Sequence, residues 1–308
     1  SPRSRPWASE SVGTKVELLM DASRAIGAPE KIVEWSAGLS HAAVETLFVS
    51  SAGAHIHQDF TYMIPSLAAV ANDGADTQTR TFGGHAFCRQ GGMEVLDDIG
   101  FYGAPARVSD DALALLRAPD CPSGSMDLVL APDQMILQIH ESIGHPLELD
   151  RILGDERNYA GTSFVTPDMF GSYRYGSTLL NIVFDPSRPE QLATYSFDDE
   201  GNRATREFII REGILQRGLG SATSQARLKL PGVANARATS WNRPPVDRMA
   251  NLNLEPGSTS FDDLIAQVED GIYMETNCSW SIDDSRNKFQ FGCELGRVIK
   301  GGKLGHIV

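Results

Sequence analysis

The sequence predicts an α+β fold: a largely antiparallel, β-rich chain in two parts, with one histidine-bearing helix after a buried strand. Segments with strand-like alternation follow one another, and helices interrupt them too rarely for the alternating order of a parallel α/β sheet. The length of 308 residues corresponds to two domains of about 150 residues each. Residues 118–124 are rich in turn formers and make the best boundary. We therefore expect a β-meander domain with flanking helices in residues 1–120 and a β-rich domain in residues 121–308.

The first predicted domain begins with a helix over residues 16–26, because apolar residues recur there at helical spacing up to Ile26. From Ile32 onward the apolar residues alternate instead, which predicts strands. These strands span residues 32–35, 44–49, 55–62 and 77–88. A short helix over residues 110–116, with Ser109 as its N-cap, closes the domain.

The second predicted domain opens with a buried strand over residues 126–130, followed by a helix from about Pro132. Short strands separated by turns make up most of the rest. They span residues 178–184, 193–197, 208–211 and 214–218. One further helix, over residues 261–270, has Ser260 as its N-cap, and Gly271 suits the position after its end.

Charge and hydropathy exclude several classes of protein. The chain has 27 Lys and Arg against 40 Asp and Glu, a net charge of −13. This balance argues against a nucleic-acid backbone or an anionic membrane as the main partner, because both attract basic surfaces. No segment approaches the roughly 18 uninterrupted apolar residues of a membrane helix. The four cysteines are too few and too scattered for a disulfide framework, so we predict a cytoplasmic protein that binds neither nucleic acid nor membrane.

The two ends of the sequence suggest a piece of a longer protein. The first residue is Ser1 rather than an initiator Met, and residues 305–308 read as the interior of a strand. We therefore expect further chain on both sides.

Residues 140–145, His-Glu-Ser-Ile-Gly-His, carry the clearest chemical signal. Two histidines around an acid on a helix suit a hydrolytic metal site, because imidazoles bind the metal and the carboxylate takes a proton from water. In the familiar zinc-peptidase motif the histidines are four residues apart, whereas His140 and His145 are five apart. On an unbroken α-helix this spacing separates the two side chains by about 140°.

Gly144 and Pro146 suggest how the two histidines still meet. We predict that Gly144 adopts a positive φ and that Pro146 pushes His145 out of the helical region. The helix then ends at Gly144, and the chain turns back so that both imidazoles reach one ion. The alternative is two unrelated histidines at a helix end, because a bare His-Glu-x-x-x-His pattern can arise by chance.

Other candidate residues carry less weight. His55 and His57 share one face of a strand, but a polar, half-exposed strand face is the commoner explanation. Glu148 and Asp150 follow His145, and either can orient a ligand imidazole through a hydrogen bond. Exposed loop acids are equally expected at these two positions.

Residues 140–150 resemble the H-E-x-x-G-H-x-L-E-x-D signature of the TldD/PmbA family of metallopeptidases. Residues 195–201, 248–252 and 289–294 are similar to further family motifs, and the resemblance covers most of the chain from about Gly124. The histidine pair points to a TldD-like member, because PmbA-like chains lack it. The resemblance implies a cytosolic, zinc-dependent peptidase that cleaves peptides or unfolded protein segments, as a dimer with a PmbA-like chain or with itself.

The resemblance also implies roles for individual residues. His140 and His145 are zinc ligands, and Glu141 is the general base. Cys293 is a local candidate for the third ligand, because a thiolate with two imidazoles selects zinc. The family's ligand cysteine is followed by Gly and lies near the family's C-terminus, whereas Glu294 follows Cys293. We therefore expect the family ligand beyond residue 308 and Cys293 inside a sheet, away from His140.

Two other functions stay open. One is a non-catalytic interaction subunit like the PmbA-like chains, although a scaffold has no need of the His-Glu-His set. The other is a metal-dependent amidase of small substrates, similar to a deformylase.

Overall fold

The computed structural model describes residues 4–308 and confirms the α+β class. Its α-helices are α1 (Val12–Ile26), α2 (Glu94–Asp98), α3 (Ala104–Leu115), α4 (Pro132–Ile139), α5 (Leu149–Leu153), α6 (Arg157–Ala160), α7 (Ala222–Leu228) and α8 (Phe261–Ala266). Its strands are β1 (Ile32–Val49), β2 (His55–Asp73), β3 (Asp76–Gly83), β4 (Arg89–Gln90), β5 (Asp127–Leu130), β6 (Ile182–Phe184), β7 (Glu207–Arg211), β8 (Ile214–Leu215), β9 (Ala236–Arg237), β10 (Val246–Asp247), β11 (Leu252–Leu254), β12 (Asp270–Ile282), β13 (Phe289–Lys300) and β14 (Lys303–Ile307). No helix in residues 4–308 is long and apolar enough to cross a bilayer.

The N-terminal part is a sheet in the order β1–β2–β3, with β4 also paired to β2. The two segments predicted as separate strands, 32–35 and 44–49, form one continuous strand because β2 pairs with it as far as Val49. Along β2, alternate side chains from Thr61 to Ala71 are buried. They form a core with residues of α1, α2 and α3 that lie against the sheet.

The sequence predicts a helix over residues 110–116, and the predicted first residue is wrong. Helix α3 begins at Ala104, with Pro105 in the first turn, where a missing N–H costs nothing. Ser109 is not a cap: it is buried inside the helix, and its hydroxyl donates to the carbonyl of Ile26 at 2.6 Å. The serine therefore ties α3 to the end of α1.

The C-terminal part contains two four-stranded sheets, β14–β13–β12–β5 and β11–β6–β7–β8. Strand β5 runs parallel to β12 and leads into α4, the order that the sequence predicts. Ser260 caps α8 by accepting the N–H of Asp263, again as predicted. Gly271, in contrast, is a strand residue: a Cβ there would lie 2.5 Å from the carbonyl oxygen of Asp127, so glycine allows β5 to approach β12.

Residues 193–197 form a loop rather than the predicted strand. The side-chain amide of Gln58, on β2, takes the place of a neighbouring strand. Its Oε1 accepts the N–H groups of Ser196 and Phe197 at 3.0 and 3.1 Å, and its Nε2 donates to the carbonyl of Phe197 at 3.0 Å. The loop is thereby fixed to the N-terminal sheet.

A buried arginine joins the two parts near the start of α4. Arg80, on β3, pairs with Glu275 at 2.9 Å and with Glu294 at 3.2 Å. It also donates to the hydroxyl of Thr276 at 2.6 Å, and that hydroxyl donates to Asp133 in the first turn of α4 at 2.5 Å. The helix that carries the histidines is therefore anchored to both sheets.

Candidate metal centre

The histidines lie on a wide turn that continues α4. The α-helix ends at Ile139, and His140–Gly144 form a turn of π-helix in which the N–H of His145 donates to the carbonyl of His140. The predicted helix end at Gly144 is wrong: its φ is −62°, and His145 is also helical, with a φ of −60°.

The π-turn solves the spacing problem differently from the predicted break. A hydrogen bond between residues i and i+5 widens the turn, so that side chains five residues apart lie on the same face. The ring centroids of His140 and His145 are 4.4 Å apart, with an angle of 85° between the ring planes. Potential ligand atoms of His140, Glu141 and His145 all lie within 4.8 Å of one another. The structure therefore brings the three predicted residues together.

Gly144 permits the close packing of this turn. A Cβ on Gly144 would lie 2.3 Å from both Sδ and Cε of Met249, so any larger residue would require the methionine to move. The glycine is needed for space, and its negative φ demands no left-handed conformation.

The side chain of Tyr175 stabilises the π-turn through a hydrogen bond. In an α-helix the carbonyl of Ser142 would accept a hydrogen bond from the N–H of residue 146. Pro146 has no N–H, so this hydrogen bond cannot form. The hydroxyl of Tyr175 donates to this carbonyl at 2.6 Å. A side chain 33 residues away therefore satisfies the backbone group that the proline leaves without a helical partner.

Glu148 holds the ring of His145. Its Oε2 lies 3.0 Å from Nδ1 of His145 and also accepts from Nη2 of Arg151 at 2.8 Å. A carboxylate only accepts, so Nδ1 carries the proton and Nε2 keeps its lone pair for a metal. Burial works to raise the pKa of Glu148, but the hydrogen bond from His145 and the neighbouring charge of Arg151 outweigh it, so the pKa is lowered.

His140 is partly buried beside the ring of His145. Burial, followed by the neighbouring His145, lowers the pKa of His140 to about 4. The imidazole is therefore neutral at physiological pH, which is the form that binds a metal.

Glu141 faces a second arginine across a gap. Its Oε2 is buried and makes no hydrogen bond to any residue in the described part of the chain. Nη1 of Arg286 is 3.8 Å away, which is an ion pair but too long for a hydrogen bond. The carboxylate thus keeps one oxygen free of hydrogen bonds, and one of its two oxygens lies within 4.8 Å of ligand atoms of both imidazoles.

Cys293 does not belong to the converging ligand atoms. It lies on β13 opposite Asn277 and lines a cavity of about 290 Å³, together with Met126 and Leu128. Burial, with the nearby thiols of Cys278 and Cys121, raises the pKa of Cys293 to about 11. The thiol is therefore protonated at neutral pH.

The weaker sequence candidates have other contacts. Nε2 of His57 lies 2.6 Å from Oε1 of Glu45 across the β1–β2 hairpin, where both side chains are exposed. His55 is exposed at the start of β2. Asp150 is buried and exchanges backbone hydrogen bonds with Asp247, each carboxylate accepting the N–H of the other residue at 3.0–3.1 Å.

Comparison with known proteins decides the family. Residues 5–116 match the PmbA/TldA metallopeptidase central domain, and residues 123–308 match the PmbA/TldA metallopeptidase C-terminal domain. The chain belongs to the PmbA/TldD family. The domain division at residues 120 and 121 stays a prediction.

Several relatives of this PmbA/TldD chain are named as proteases. A metalloprotease of Methanothermobacter thermautotrophicus is 30% identical over 302 residues, which cover 98% of this chain and 63% of that protein. A zinc metalloprotease TldD homolog of Saccharolobus solfataricus is 28% identical over 191 residues, 61% of this chain and 40% of that protein. A candidate DNA gyrase modulator from Thermotoga maritima shares the fold, with a TM-score of 0.78 and 17% identity, covering 100% of this chain and 67% of that one. This chain therefore spans less than two thirds of these curated relatives' length, and the family models that match it describe metallopeptidase domains.

Three residues of the site have little or no signal in the sequence. Arg151 lies three residues after Glu148, a spacing that places the two side chains together on a helical turn. Tyr175 and Arg286 come from distant segments, and their contacts with the turn arise only from the tertiary fold.

Proposed function

We propose that this chain carries the catalytic centre of a zinc-dependent peptidase, with His140 and His145 as zinc ligands and Glu141 as general base. The observation that carries the proposal is the convergence of these three side chains within 4.8 Å on one π-turn. The names of the relatives add the reaction class and, for the Saccharolobus protein, the metal.

The chemistry of the donor set suits zinc. Two imidazole nitrogens are borderline ligands that zinc accepts readily, and oxygen-preferring magnesium or calcium does not favour them. The neutral state of His140 and the proton of His145 on Nδ1 leave one lone pair on each ring for the ion. When bound, zinc acts as a Lewis acid that polarises a carbonyl group and lowers the pKa of water.

Residues of the chain carry out proton transfer and hold the ligand in place. Glu141, with its buried and free Oε2, accepts the proton of the attacking water and later delivers it to the leaving amine nitrogen. Glu148 and Arg151 fix the ring of His145, which prevents the ligand from rotating away.

The proposal extends to substrate and partner. We propose peptides or unfolded protein segments as substrates, and a PmbA-like chain or a second copy of this chain as the partner in a dimer. The family resemblance supports both points. The cytoplasmic location and the absence of nucleic-acid and membrane partners stay predictions from composition.

Two alternatives make different demands on the site. A non-catalytic subunit has no use for Glu141 with an unbonded oxygen beside two imidazoles, so the geometry favours a catalyst. A small-substrate amidase uses the same donors, and it is distinguished by its substrate rather than by the ligand set.

The test uses the native, full-length protein and measures its metal content and its cleavage of a peptide substrate. We expect about one zinc per chain, cleavage of an unfolded peptide that a chelator abolishes and zinc restores, and no hydrolysis of N-formylmethionine. Glu141→Gln should keep the metal and lower turnover by about 10²–10⁴-fold, the usual contribution of a general base. The matched control, Glu269→Gln, removes an exposed carboxylate and should leave turnover unchanged.

Three results would contradict the proposal. Cleavage by a protein that holds no metal excludes the metal centre. Unchanged cleavage by Glu141→Gln places the base elsewhere. Hydrolysis of the formyl substrate without peptide cleavage supports the amidase.

A further inference from the structure

Arg286 lies in the turn that connects β12 to β13, and this turn is tightly built. The carboxylate of Asp283 accepts the N–H of Lys288 at 2.7 Å and the hydroxyl of Ser285 at 2.5 Å. Arg286 itself has a φ of +66°, a left-handed conformation that is uncommon outside glycine. Strained backbone of this kind persists only where the surrounding structure enforces it, and it is enriched at functional sites.

The turn is held against the segment that follows α6. The N–H of Thr162 donates to the carbonyl of Asp284 at 2.7 Å, and a Cβ on Gly161 would lie 2.6 Å from that same carbonyl oxygen. Nη2 of Arg286 donates to the carbonyl of Ala160 at 2.9 Å. These contacts bring the guanidinium to the metal centre and leave it few alternative positions.

The guanidinium of Arg286 lies close to the carboxylate of Glu141. Nη1 of Arg286 is 3.8 Å from Oε2 of Glu141. Within residues 4–308, neither Nε of Arg286 nor Oε2 of Glu141 has a hydrogen-bond partner, although both atoms are buried. Leaving buried polar atoms unpaired costs stability, so a purely structural ion pair would be expected to close to hydrogen-bonding distance.

We propose, on the basis of the proposed peptidase function, that Arg286 is a catalytic residue that binds the carbonyl oxygen of the scissile amide. The oxygen of the attacking water forms a bond to the carbonyl carbon, and the π-electron pair moves onto the carbonyl oxygen while a proton passes to Glu141. The guanidinium donates hydrogen bonds to this negatively charged oxygen. The carbon–nitrogen bond then breaks, and the nitrogen takes the proton from Glu141, so that acid and amine are released.

The position of Arg286 favours binding of the scissile carbonyl oxygen over binding of a carboxylate elsewhere on the substrate. A donor 3.8 Å from the general base lies beside the reacting carbon, because the base must itself be within hydrogen-bond reach of the attacking water. A donor in that position meets the charge that develops during the reaction, which is where preorganised hydrogen bonds lower the barrier most.

The test replaces Arg286 by Gln, whose side chain is polar but uncharged and shorter, so it has no donor that reaches the carbonyl oxygen. We expect kcat to fall by about 100- to 1,000-fold, as for the loss of an oxyanion donor, with little change in KM. A phosphinic peptide, whose PO₂⁻ group imitates the tetrahedral species, should lose affinity by a similar factor in calorimetry. Zinc affinity should stay as in the wild type.

The chain offers a matched control in the same turn. Lys288→Gln removes one positive charge two residues from Arg286, but this side chain is exposed. We expect wild-type kcat and wild-type phosphinic-peptide affinity for Lys288→Gln. Arg286→Lys, which retains the charge with fewer donors, should recover part of the loss.

The outcomes separate this inference from the proposed function. If the wild type cleaves peptides and Arg286→Gln does so equally fast, the inference is wrong and the peptidase stands. If Arg286→Gln raises KM and leaves kcat unchanged, the arginine binds a substrate carboxylate and the inference is again wrong. If the wild type neither cleaves peptides nor binds the phosphinic peptide, both proposals fail.

Discussion

Nδ1 of His145 lies 3.0 Å from Oε2 of Glu148, a carboxylate with no solvent exposure. The same oxygen accepts two hydrogen bonds from Arg151, from Nη2 at 2.8 Å and from Nε at 3.1 Å. A buried charge of this kind is stable only when it is paired and hydrogen-bonded. The pair therefore fixes both the orientation and the tautomer of the imidazole.

Replacing Glu148 by Gln should weaken zinc binding. An amide accepts the same hydrogen bonds with less charge, so the ring of His145 is held less firmly and becomes a poorer ligand. We expect zinc affinity to fall by about 10- to 100-fold, the usual effect of losing an outer partner of a ligand histidine. Competition with a chromophoric chelator measures this. Unchanged affinity in a folded Glu148→Gln variant would show that the contact has no influence on the metal.

Tyr175→Phe should destabilise the π-turn. The change removes the hydroxyl that serves the carbonyl of Ser142, and a buried acceptor without a partner costs about 1–3 kcal/mol. Urea denaturation measures the free energy of unfolding. Tyr173→Phe is the control, because the Tyr173 ring packs edge-on against Tyr175 at 5.9 Å and is 37% exposed. Equal losses in both variants would count against a specific role of the Tyr175 hydroxyl.

The meeting of the two histidines is predictable from the sequence, whereas the backbone that achieves it is not. The motif is local, and the proline after His145 signals that a regular α-helix does not continue. A positive φ at Gly144 was one way to satisfy this pattern. The structure uses a π-turn instead because Tyr175, 33 residues from Ser142, supplies a hydrogen bond and Met249 fills the space beside Gly144.

Formation of the strands also depends both on the local sequence pattern and on residues that are distant in sequence. Alternation predicts strands at 32–35 and 44–49, but their union into β1 depends on continuous pairing with β2. Residues 193–197 have strand-like alternation, yet a single side chain, Gln58, satisfies their backbone instead of a strand. Local pattern shows where strands are possible, and partners distant in sequence decide which of them form.

Gly144→Ala should overpack the turn against Met249. The new Cβ would lie 2.3 Å from Sδ and Cε of that methionine, and overpacking of this kind costs about 1–3 kcal/mol. Met249→Ala frees the space, so the double variant should be more stable than the sum of the single effects predicts. Denaturation of all four proteins gives the coupling energy. Strictly additive losses would show that the two residues do not compete for this space.

Asp150 should make stability depend on pH. Burial, then the charges of Asp247 and Glu148, raises the pKa of Asp150 to about 7, far above its value of about 3.9 in an unfolded chain. Between these values the folded state binds the proton more tightly, so this residue's contribution is greatest below about pH 4 and is lost as the pH rises to about 7. Relative to Asp150→Asn, the wild type should therefore lose stability between about pH 4 and pH 7. Parallel pH profiles of the two proteins would contradict the raised pKa.

The last prediction is that the 308-residue chain binds zinc weakly and that Cys293 has no part in the binding. The two imidazoles leave two of the four tetrahedral positions to other groups, and catalytic zinc sites usually have three protein ligands. The thiol of Cys293 lies outside the converging ligand atoms, and burial keeps it protonated, with a pKa of about 11. Cys293→Ala should therefore titrate with zinc as the wild type does, and so should Cys278→Ala, which removes a neighbouring exposed thiol. Tight, stoichiometric binding that is lost in Cys293→Ala alone would make this cysteine the third ligand, and the sheet would then have to move it toward His140.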